Sequence, residues 1–412
     1  MRILHVDKFL YRRGGAEAYM LDVAAMQRAA GHEVAFLATA HPENEPSRYA
    51  SSFPRFVELN PPPPSLKAKV SAVGRMLWSV EARASMERVL DDFRPDVVHL
   101  HNVYHHLSPS VLRPLRKRAV PTVMTLHDFK LACPTHRFMA NGAVCEACLG
   151  RHFHNAILKR CNEGSLGASA VNAVELTMHT YTGAYDPVHI FLCPSRFMLE
   201  KMRAARVFTH RLQWVPSFVD AASIDVKRSP GGAIAYVGRL WEEKGVDVLI
   251  QAAGIAAADL DVAGDGPELG RLEALAARVG GGRIRFHGHL PPPRVQELIR
   301  AAAVTVLPSR AYENLPIAIL ESFACAVPVV GTAHGGIPEL IDTGDDGELV
   351  PPNDPRAMAA ALRPFLEDPQ HAFAMGRSGR RKVEERFSPA GHLALLMDAY
   401  AQAAARAGRG GS

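Results

Sequence analysis

Short apolar runs alternate along this chain with longer stretches in which apolar positions recur every three or four residues. Residues 3–6, 33–37, 97–100, 122–126 and 190–193 read as strands, and 15–30 and 81–93 as helices. A second series begins after Val215-Pro216-Ser217, with strands at 233–237, 260–263, 284–286, 304–307 and 327–330. Between them, 244–257, 268–279, 295–302 and 316–326 carry the helical period. Strands that alternate with helices predict parallel sheets covered on both faces. The pattern therefore predicts an α/β chain of two doubly wound, Rossmann-like domains, residues 1–215 and 216–387. A last periodic stretch, 389–405, follows the completed second series, and 406–412 is a Gly/Arg/Ser tail expected to be disordered.

Composition bounds the picture without changing it. The 412 residues are 48% hydrophobic and 22% charged, ordinary values for a folded soluble chain. The net charge of +5 is too small to indicate nucleic acid; an anionic lipid surface or a phosphorylated substrate fits as well. No apolar run approaches the roughly 20 residues of a transmembrane helix. Met1-Arg2-Ile3-Leu4-His5-Val6 reads as a first strand, not a leader, so a cytoplasmic protein is expected, with the inner face of the plasma membrane as a further station.

Sheets of this kind bind ligands at the carboxyl ends of their strands, and the chemistry-bearing motifs fall there. Glu313 and Glu321 bracket Asn314-Leu315-Pro316 and the start of an apolar helix. Pro316 suits a first helical turn, where its missing N–H costs nothing. Two carboxylates beside free helix N–H groups suit a ligand carrying both hydroxyls and phosphate, although two surface acids around a capped helix have the same spacing. Gly238-Arg239-Leu240-Trp241-Glu242-Glu243-Lys244-Gly245 follows the first strand of the second series. Its two cations suit a diphosphate; a solvated loop with internal ion pairs is the plainer alternative. Gly14-Gly15-Ala16-Glu17 ends the loop after the first strand, without a G-x-G-x-x-G, so a dinucleotide site is not indicated. Gly264-Asp265-Gly266-Pro267 and Phe286-His287-Gly288-His289 are further strand ends, and His127-Asp128 closes a strand of the first domain.

Taken in order, Gly14-Gly15-Ala16-Glu17, Arg239 with Lys244-Gly245, Gly264-Asp265-Gly266-Pro267, Glu313-x7-Glu321 and His334-Gly335-Gly336-Ile337-Pro338-Glu339 resemble the family 4 retaining glycosyltransferases over residues 1–390. The resemblance implies the GT-B fold, with a nucleotide-sugar in the cleft between an N-terminal acceptor-binding domain and a C-terminal donor-binding domain. It also implies that the last helix, 388–405, crosses back onto the first domain. By the same resemblance Arg239 and Lys244 hold the donor diphosphate, Glu321 the ribose hydroxyls, and Glu313 the transferred sugar, helped by the backbone at Asn314 and Leu315. Gly14 and Gly15 lie near the diphosphate, and His127 touches the donor sugar. The catalytic set is then Glu313, His127, Arg239 and Lys244. The implied function is transfer of a hexose, with retention, from a nucleotide-diphosphate sugar (UDP and GDP not separable) to a hydroxyl of a glycan or lipid-linked acceptor, in cell-surface polysaccharide or glycolipid synthesis. Two departures stand out: Ala326 occupies a position where glycine is common, and Asn314-Leu315-Pro316 replaces a frequent Gly-Phe-Gly.

Asp259-Leu260-Asp261 opens a strand away from the cleft, so catalysis is expected to need no divalent ion. Cys133, Cys145, Cys148 and Cys161 form a C-x11-C-x2-C-x12-C cluster. A structural zinc site, packed free thiols and redox-linked pairs all fit it, with zinc favoured over disulfides in a cytoplasmic protein and His136, His152 and His154 as substitute ligands. A similar insert occurs in a subset of the resembled family. After the break at Asn60-Pro61-Pro62-Pro63-Pro64, Lys67, Lys69, Arg75, Arg83 and Arg88 alternate with apolar residues, and Arg113, Arg116, Lys117 and Arg118 cluster. Both stretches suit either peripheral contact with anionic membrane or ordinary solvated faces. Two rivals remain at this level. A glycosidase would use Glu313 and Glu321 as its carboxyl pair but leave Arg239 and Lys244 idle. A non-catalytic sugar-nucleotide sensor or zinc scaffold would bind without turnover.

Overall fold

The computed structural model describes residues 1–58 and 64–409. Two six-stranded parallel sheets organise it. The first contains β1 (Arg2–Val6), β2 (Glu33–Leu37), β3 (Val97–Leu100), β4 (Thr122–Thr125), and, beyond a small hairpin of β5 (Met139–Ala140) and β6 (Ala143–Val144), β7 (Ile190–Cys193) and β8 (Leu212–Trp214). Its order is β2-β1-β3-β4-β7-β8. The second contains β9 (Ala233–Val237), β10 (Leu260–Ala263), β11 (Ile284–Phe286), β12 (Ala302–Leu307), β13 (Val329–Thr332) and β14 (Gly347–Val350), in the order β11-β10-β9-β12-β13-β14. Each order reverses direction once, between β1 and β3 and between β9 and β12. The loops that leave those strands diverge there and open a crevice.

Helices cover both sheets: α1 (Gly15–Ala29), α2 (Leu66–Leu77), α3 (Val80–Phe93), α4 (Leu112–Lys117), α5 (Asn155–Leu158), α6 (Leu166–Tyr181) and α7 (Arg196–Ala204) in the first half. The second half has α8 (Val246–Ala256), α9 (Leu269–Val279), α10 (Pro292–Ala301), α11 (Ile317–Ala324), α12 (Pro355–Glu367) and α13 (Pro369–Arg386), followed by α14 (Pro389–Arg409). This is the expected doubly wound pair. β2, β3, β7, β9, β10 and β11 coincide with their sequence-predicted bounds. β13 starts two residues later than expected, since Pro328 has no N–H to give to a ladder.

The last helix returns to the first sheet. Leu396, Ala399, Tyr400 and Ala403 are buried among Ile3, Tyr19, Val23, Val97, Val123 and Ile190. It continues through Arg406, Ala407 and Gly408, which the sequence reading assigned to a disordered tail; Ala407 is buried and Arg406 donates to the carbonyls of His189 and His210. Residues 410–412 lie outside the described range.

The basic stretch after residue 64 is two helices, not one. Ser79 caps α3 by accepting from Ala82 N, which breaks the helix after Leu77. Arg75 binds Glu81 and the Arg55 carbonyl, Arg83 faces Glu87, and Arg88 donates to the Ser52 carbonyl, so these cations are committed to the fold. Lys67 and Lys69 are exposed beside Leu66 and Val70. The proline run expected to interrupt the chain falls at 59–63, outside the described residues, with Pro64 just inside. Among the described residues no helix is long and apolar enough to cross a membrane.

Candidate active site

The loops after β9 and β12 build one wall of the crevice. Between β9 and α8 the chain turns at Gly245, whose φ of 66° allows a short 3-10 turn, Glu242–Lys244, to end before the helix starts. Lys244 thus sits on a turn, where a helical start was expected. The loop is clamped from behind: a Cβ at Gly264 would lie 1.8 Å from the Gly238 carbonyl oxygen, and one at Gly266 2.3 Å from that of Leu240. The glycines of the Gly264-Asp265-Gly266 turn therefore serve close backbone packing that aims Arg239.

After β12, Glu313 is half-buried. Its Oε1 lies 2.6 Å from Lys244 Nζ and accepts from Ser309 Oγ at 2.5 Å. Burial alone would raise its pKa, but Lys244, Ser309 and Arg239 outweigh that and hold the carboxylate below its ordinary range. Arg239 is exposed and pairs with no acid among the described residues; its guanidinium sits 5.6 Å from the Trp241 ring. Pro316 caps α11 one residue before the helix proper. The N–H groups of Leu315, Ile317 and Ala318 take no acceptor among the described residues. The whole segment rests on the turn at 334–336. Gly336 N donates to the Glu313 carbonyl at 2.8 Å, and a Cβ at Gly336 would fall 1.6 Å from the Asn314 carbonyl oxygen.

The Asn314 side chain is engaged within the protein: Nδ2 donates to the Leu126 carbonyl at 2.9 Å and Oδ1 accepts from Ser195 Oγ at 2.8 Å. It ties the second sheet to the end of β4 and to the N-terminus of α7. Glu339 reinforces the tie by accepting from Arg196 N and Phe197 N. Ala326 adopts a φ of 58°, which explains why glycine suits that position: alanine pays a backbone cost there of roughly 1–2 kcal/mol.

A cavity of about 310 Å³ lies between the two halves, with Arg239, Lys244, Glu313, Asn314 and Tyr312 on one side and His127, Asp128 and Phe129 on the other. A further wall comes from the cysteine-bearing segment that follows His127: His136, Arg137, Asn162 and Glu163 line the same space. That segment reaches the second half through Arg137 and Glu243 at 3.7 Å, and through Tyr312 OH donating to Glu146 at 2.8 Å. Its hairpin turns at Asn141-Gly142 with both residues at positive φ, as the sequence signal predicts.

The four cysteines gather in this segment as free thiols. Burial first, then the neighbouring Cys133, Cys161 and Cys145, push the Cys148 thiol up to about 12. Yet among the described residues no three of these sulfurs come within 4.8 Å of one another. The module supplies four soft donors without drawing them to ligating distance. Asp261 is spent elsewhere, on Arg285 at 2.8 Å and His287 at 2.7 Å.

Glu321, Gly14 and Gly15 stand off this cavity. Gly14 caps α1 and Gly15 begins it, with open space where a Gly15 Cβ would point. Glu321 lies in the second turn of α11, half-buried, with Asp22 of α1 as its nearest perturbing charge. The structure thus brings Arg239, Lys244, Glu313 and His127 to one cavity, and places Glu321 outside its lining, within electrostatic reach of Asp22 on α1.

Two family models cover most of the chain: "Glycosyl transferase 4-like domain" matches residues 14–217 and "Glycosyl transferases group 1" matches 225–382. The chain belongs to the GT-B glycosyltransferases. It is 36% identical over 176 residues to alpha-maltose-1-phosphate synthase of Mycolicibacterium smegmatis, covering 39% of this chain and 45% of that one. It is 32% identical over 202 residues to the colanic acid biosynthesis glycosyltransferase WcaL of Escherichia coli, covering 46% and 48%. These two matches span about half the length of each relative. A third runs nearly end to end: 27% identity to D-inositol 3-phosphate glycosyltransferase 1 of Catenulispora acidiphila, over 96% of this chain and 92% of that one. Among solved structures, sucrose-phosphate synthase of Thermosynechococcus elongatus superposes with a TM-score of 0.71 at 19% identity, covering 97% of this chain and 98% of that one. Anabaena HepE, solved with UDP and glucose, gives 0.68 at 17% over the same shares. At these identities the superpositions speak for the fold.

Glu321 makes a testable difference. Burial first and Asp22 second raise its carboxyl from 4.5 to about 7. Between those values the folded chain keeps a proton that the unfolded chain has lost, so this group's contribution to stability falls as pH rises across the window. Glu321→Gln removes that dependence. Urea unfolding should show the variant more stable than the parent at about pH 8 and equal to it at about pH 4; the same difference at both would contradict the assignment.

Proposed function

We propose that this chain transfers a hexose, with retention at the anomeric carbon, from a nucleoside-diphosphate sugar to a hydroxyl of a glycan or lipid-linked acceptor. The observation that carries the reading is that Arg239, without an acidic partner among the described residues, and Lys244 line one cavity beside Glu313, next to a helix start whose N–H groups at Leu315, Ile317 and Ala318 take no acceptor among the described residues. This is a built anion site at a sheet switch point. A diphosphate seated there develops charge as the glycosyl C–O bond to phosphate breaks, and prepositioned cations and amides stabilise that charge. The acceptor oxygen bonds to the same face of the sugar carbon, and its proton passes to the departing phosphate oxygen. Glu313, held ionised by Lys244, accepts from hydroxyls of the transferred sugar. Glu321, whose carboxyl has no hydrogen-bond partner among the described residues, takes the ribose diol. His127 faces the donor sugar. This arrangement does not favour a glycosidase, because Glu313 is neutralised by Lys244 and Glu321 does not line the cavity.

The donor reading draws support from the neighbours, one solved with UDP and glucose. A lipid-linked acceptor is supported by exposed Leu66 and Val70 beside Lys67 and Lys69 on α2, which packs against α6 with its exposed Leu166 and Tyr181. The cysteine module has the donor set for a structural zinc ion and a position on the cavity wall, where a metal would stiffen the loop carrying His136 and Arg137.

Arg239→Ala and Glu321→Ala should each reduce transfer by at least about 100-fold with the fold intact, since each removes a charge contact to the leaving nucleotide or its ribose. Product analysis with a set of nucleotide-sugars reads this, and wild-type transfer in either variant would sink the site assignment. Elemental analysis of the purified chain should find zinc at about one equivalent, lost in Cys145→Ser with Cys148→Ser; a metal-free chain of full stability would remove the zinc proposal.

A further inference from the structure

Hydrogen bonds run in two stretches through the buried heart of the first domain, and the longer one ends at His127. The shorter one starts from a group with no choice of role. The Pro216 carbonyl can only accept, so His392 Nδ1, 2.7 Å away, carries a hydrogen. His392 is buried, and burial lowers its pKa to about 4, so the ring is neutral and Nε2 is bare. Tyr19 OH, 3.0 Å from Nε2, must then donate to it. The longer stretch takes its direction from Gln27, whose amide NH2 donates to Tyr400 OH at 2.9 Å. With its oxygen accepting, Tyr400 OH donates to His99 Nδ1 at 2.8 Å, so neutral His99 carries its hydrogen on Nε2 and gives it to Thr125 Oγ1 at 2.7 Å. On the other side of the amide, Gln27 Oε1 accepts from His5 Nε2 at 2.8 Å. His5 Nδ1 accepts from His101 Nε2 at 3.0 Å, and His101 Nδ1 accepts from His127 Nε2 at 3.0 Å.

Within the longer stretch each link follows from the orientation of the Gln27 amide, because a neutral imidazole has one donor and one acceptor and a hydroxyl has one hydrogen. All six nitrogens of His5, His99 and His101 are used. Their crowding, which alone would suggest a metal-binding trio, is accounted for by these bonds, and the ring centroids lie 4.3–5.3 Å apart. The polarity arrives at the cavity with one result. His127 keeps its hydrogen on Nε2, pointing inward, while Nδ1 has no protein partner among the described residues and His127 lines the cavity.

We infer that His127 is locked as an acceptor: it presents a bare Nδ1 lone pair to the ligand, and its tautomer is set by Gln27, His5 and His101, with Tyr400 on α14 holding the Gln27 amide. The group that docks there must bring its own hydrogen, as a sugar hydroxyl or ammonium does and a carboxylate or carbonyl does not. Gln27, His5, His101 and Tyr400 are positioning residues, and α14 crosses back with a task beyond packing: it carries the hydroxyl that fixes the amide from which the polarity at the cleft follows. The ligand half of this inference rests on the glycosyltransferase reading; the tautomer half does not.

Nitrogen-15 NMR of the histidine side chains separates protonated from bare ring nitrogens, and His127→Gln assigns the signal. In the full-length protein His127 should show hydrogen on Nε2 and a bare Nδ1; hydrogen on Nδ1 would overturn the inference. Tyr400→Phe removes one hydroxyl far from the cleft and frees the Gln27 amide to turn. His127 should then shift to a mixture of tautomers in a variant that still unfolds cooperatively, and an unchanged His127 signal would show that the chain transmits nothing. Adding a nucleotide-hexose should shift the Nδ1 resonance while leaving that nitrogen unprotonated; protonation on binding would contradict the acceptor role. Failure of every nucleotide-sugar to bind would count against the proposed function and leave the free-protein result standing.

Discussion

The amide of Asn314 holds the carboxyl ends of the two sheets together, and the cavity depends on it. Its Nδ2 and Oδ1 take the Leu126 carbonyl and the Ser195 hydroxyl, one residue from His127 and at the cap of α7. Each partner is largely removed from water, so the pair of bonds is worth about 1–3 kcal/mol and leaves unsatisfied groups if broken. The same backbone that carries Asn314 carries Glu313, and it is pressed from below by Gly335 and Gly336 with no room for a Cβ. Position of the acid, closure of the crevice and placement of His127 are therefore one mechanical unit. A ligand seated between the halves would complete contacts that Asn314, Glu339 and the Arg137–Glu243 pair have already aligned.

Electrostatics divides the crevice into two environments. Around Glu313, Lys244 and Arg239 keep a carboxylate charged despite its burial. Around Glu321, burial and Asp22 both add to the cost of charging, and no ion pair among the described residues offsets them. The first suits a group that must stay ionised beside a diphosphate. The second suits a carboxyl that gains when hydroxyls arrive to solvate it. In the first domain the histidine chain is neutral throughout, so it sets hydrogen-bond direction at the cavity without adding charge to it.

Much of this was legible in the sequence because parallel strands buried on both faces are nearly continuous apolar runs, and the two series of such runs gave the two sheets. The edge strands β8 and β14 escaped because they are short and only partly buried. Arg239, Lys244 and Glu313 were readable because strand ends in this architecture face the crevice. The cross-sheet bond of the Asn314 amide is not legible in the sequence, because its partner carbonyl lies 188 residues away. The histidine chain had a signal that went unused: His5 and His99 lie opposite each other in adjacent parallel strands, in segments otherwise apolar. A polar ring in such a strand must find a partner. What the strands could not reveal was the direction of the chain, which is set by Gln27 of α1 and Tyr400 of α14.

The central claim is that the crevice between the sheets seats a nucleoside diphosphate through Arg239, Lys244 and the N-terminus of α11, with the ribose on Glu321. A crystal structure of the chain with a bound nucleoside diphosphate tests it most directly. The account predicts phosphate oxygens within hydrogen-bond reach of Arg239 and Lys244, and the ribose hydroxyls on the Glu321 carboxylate. A nucleotide bound outside this crevice, or one lying in it with Arg239 and Glu321 both unengaged, would contradict it.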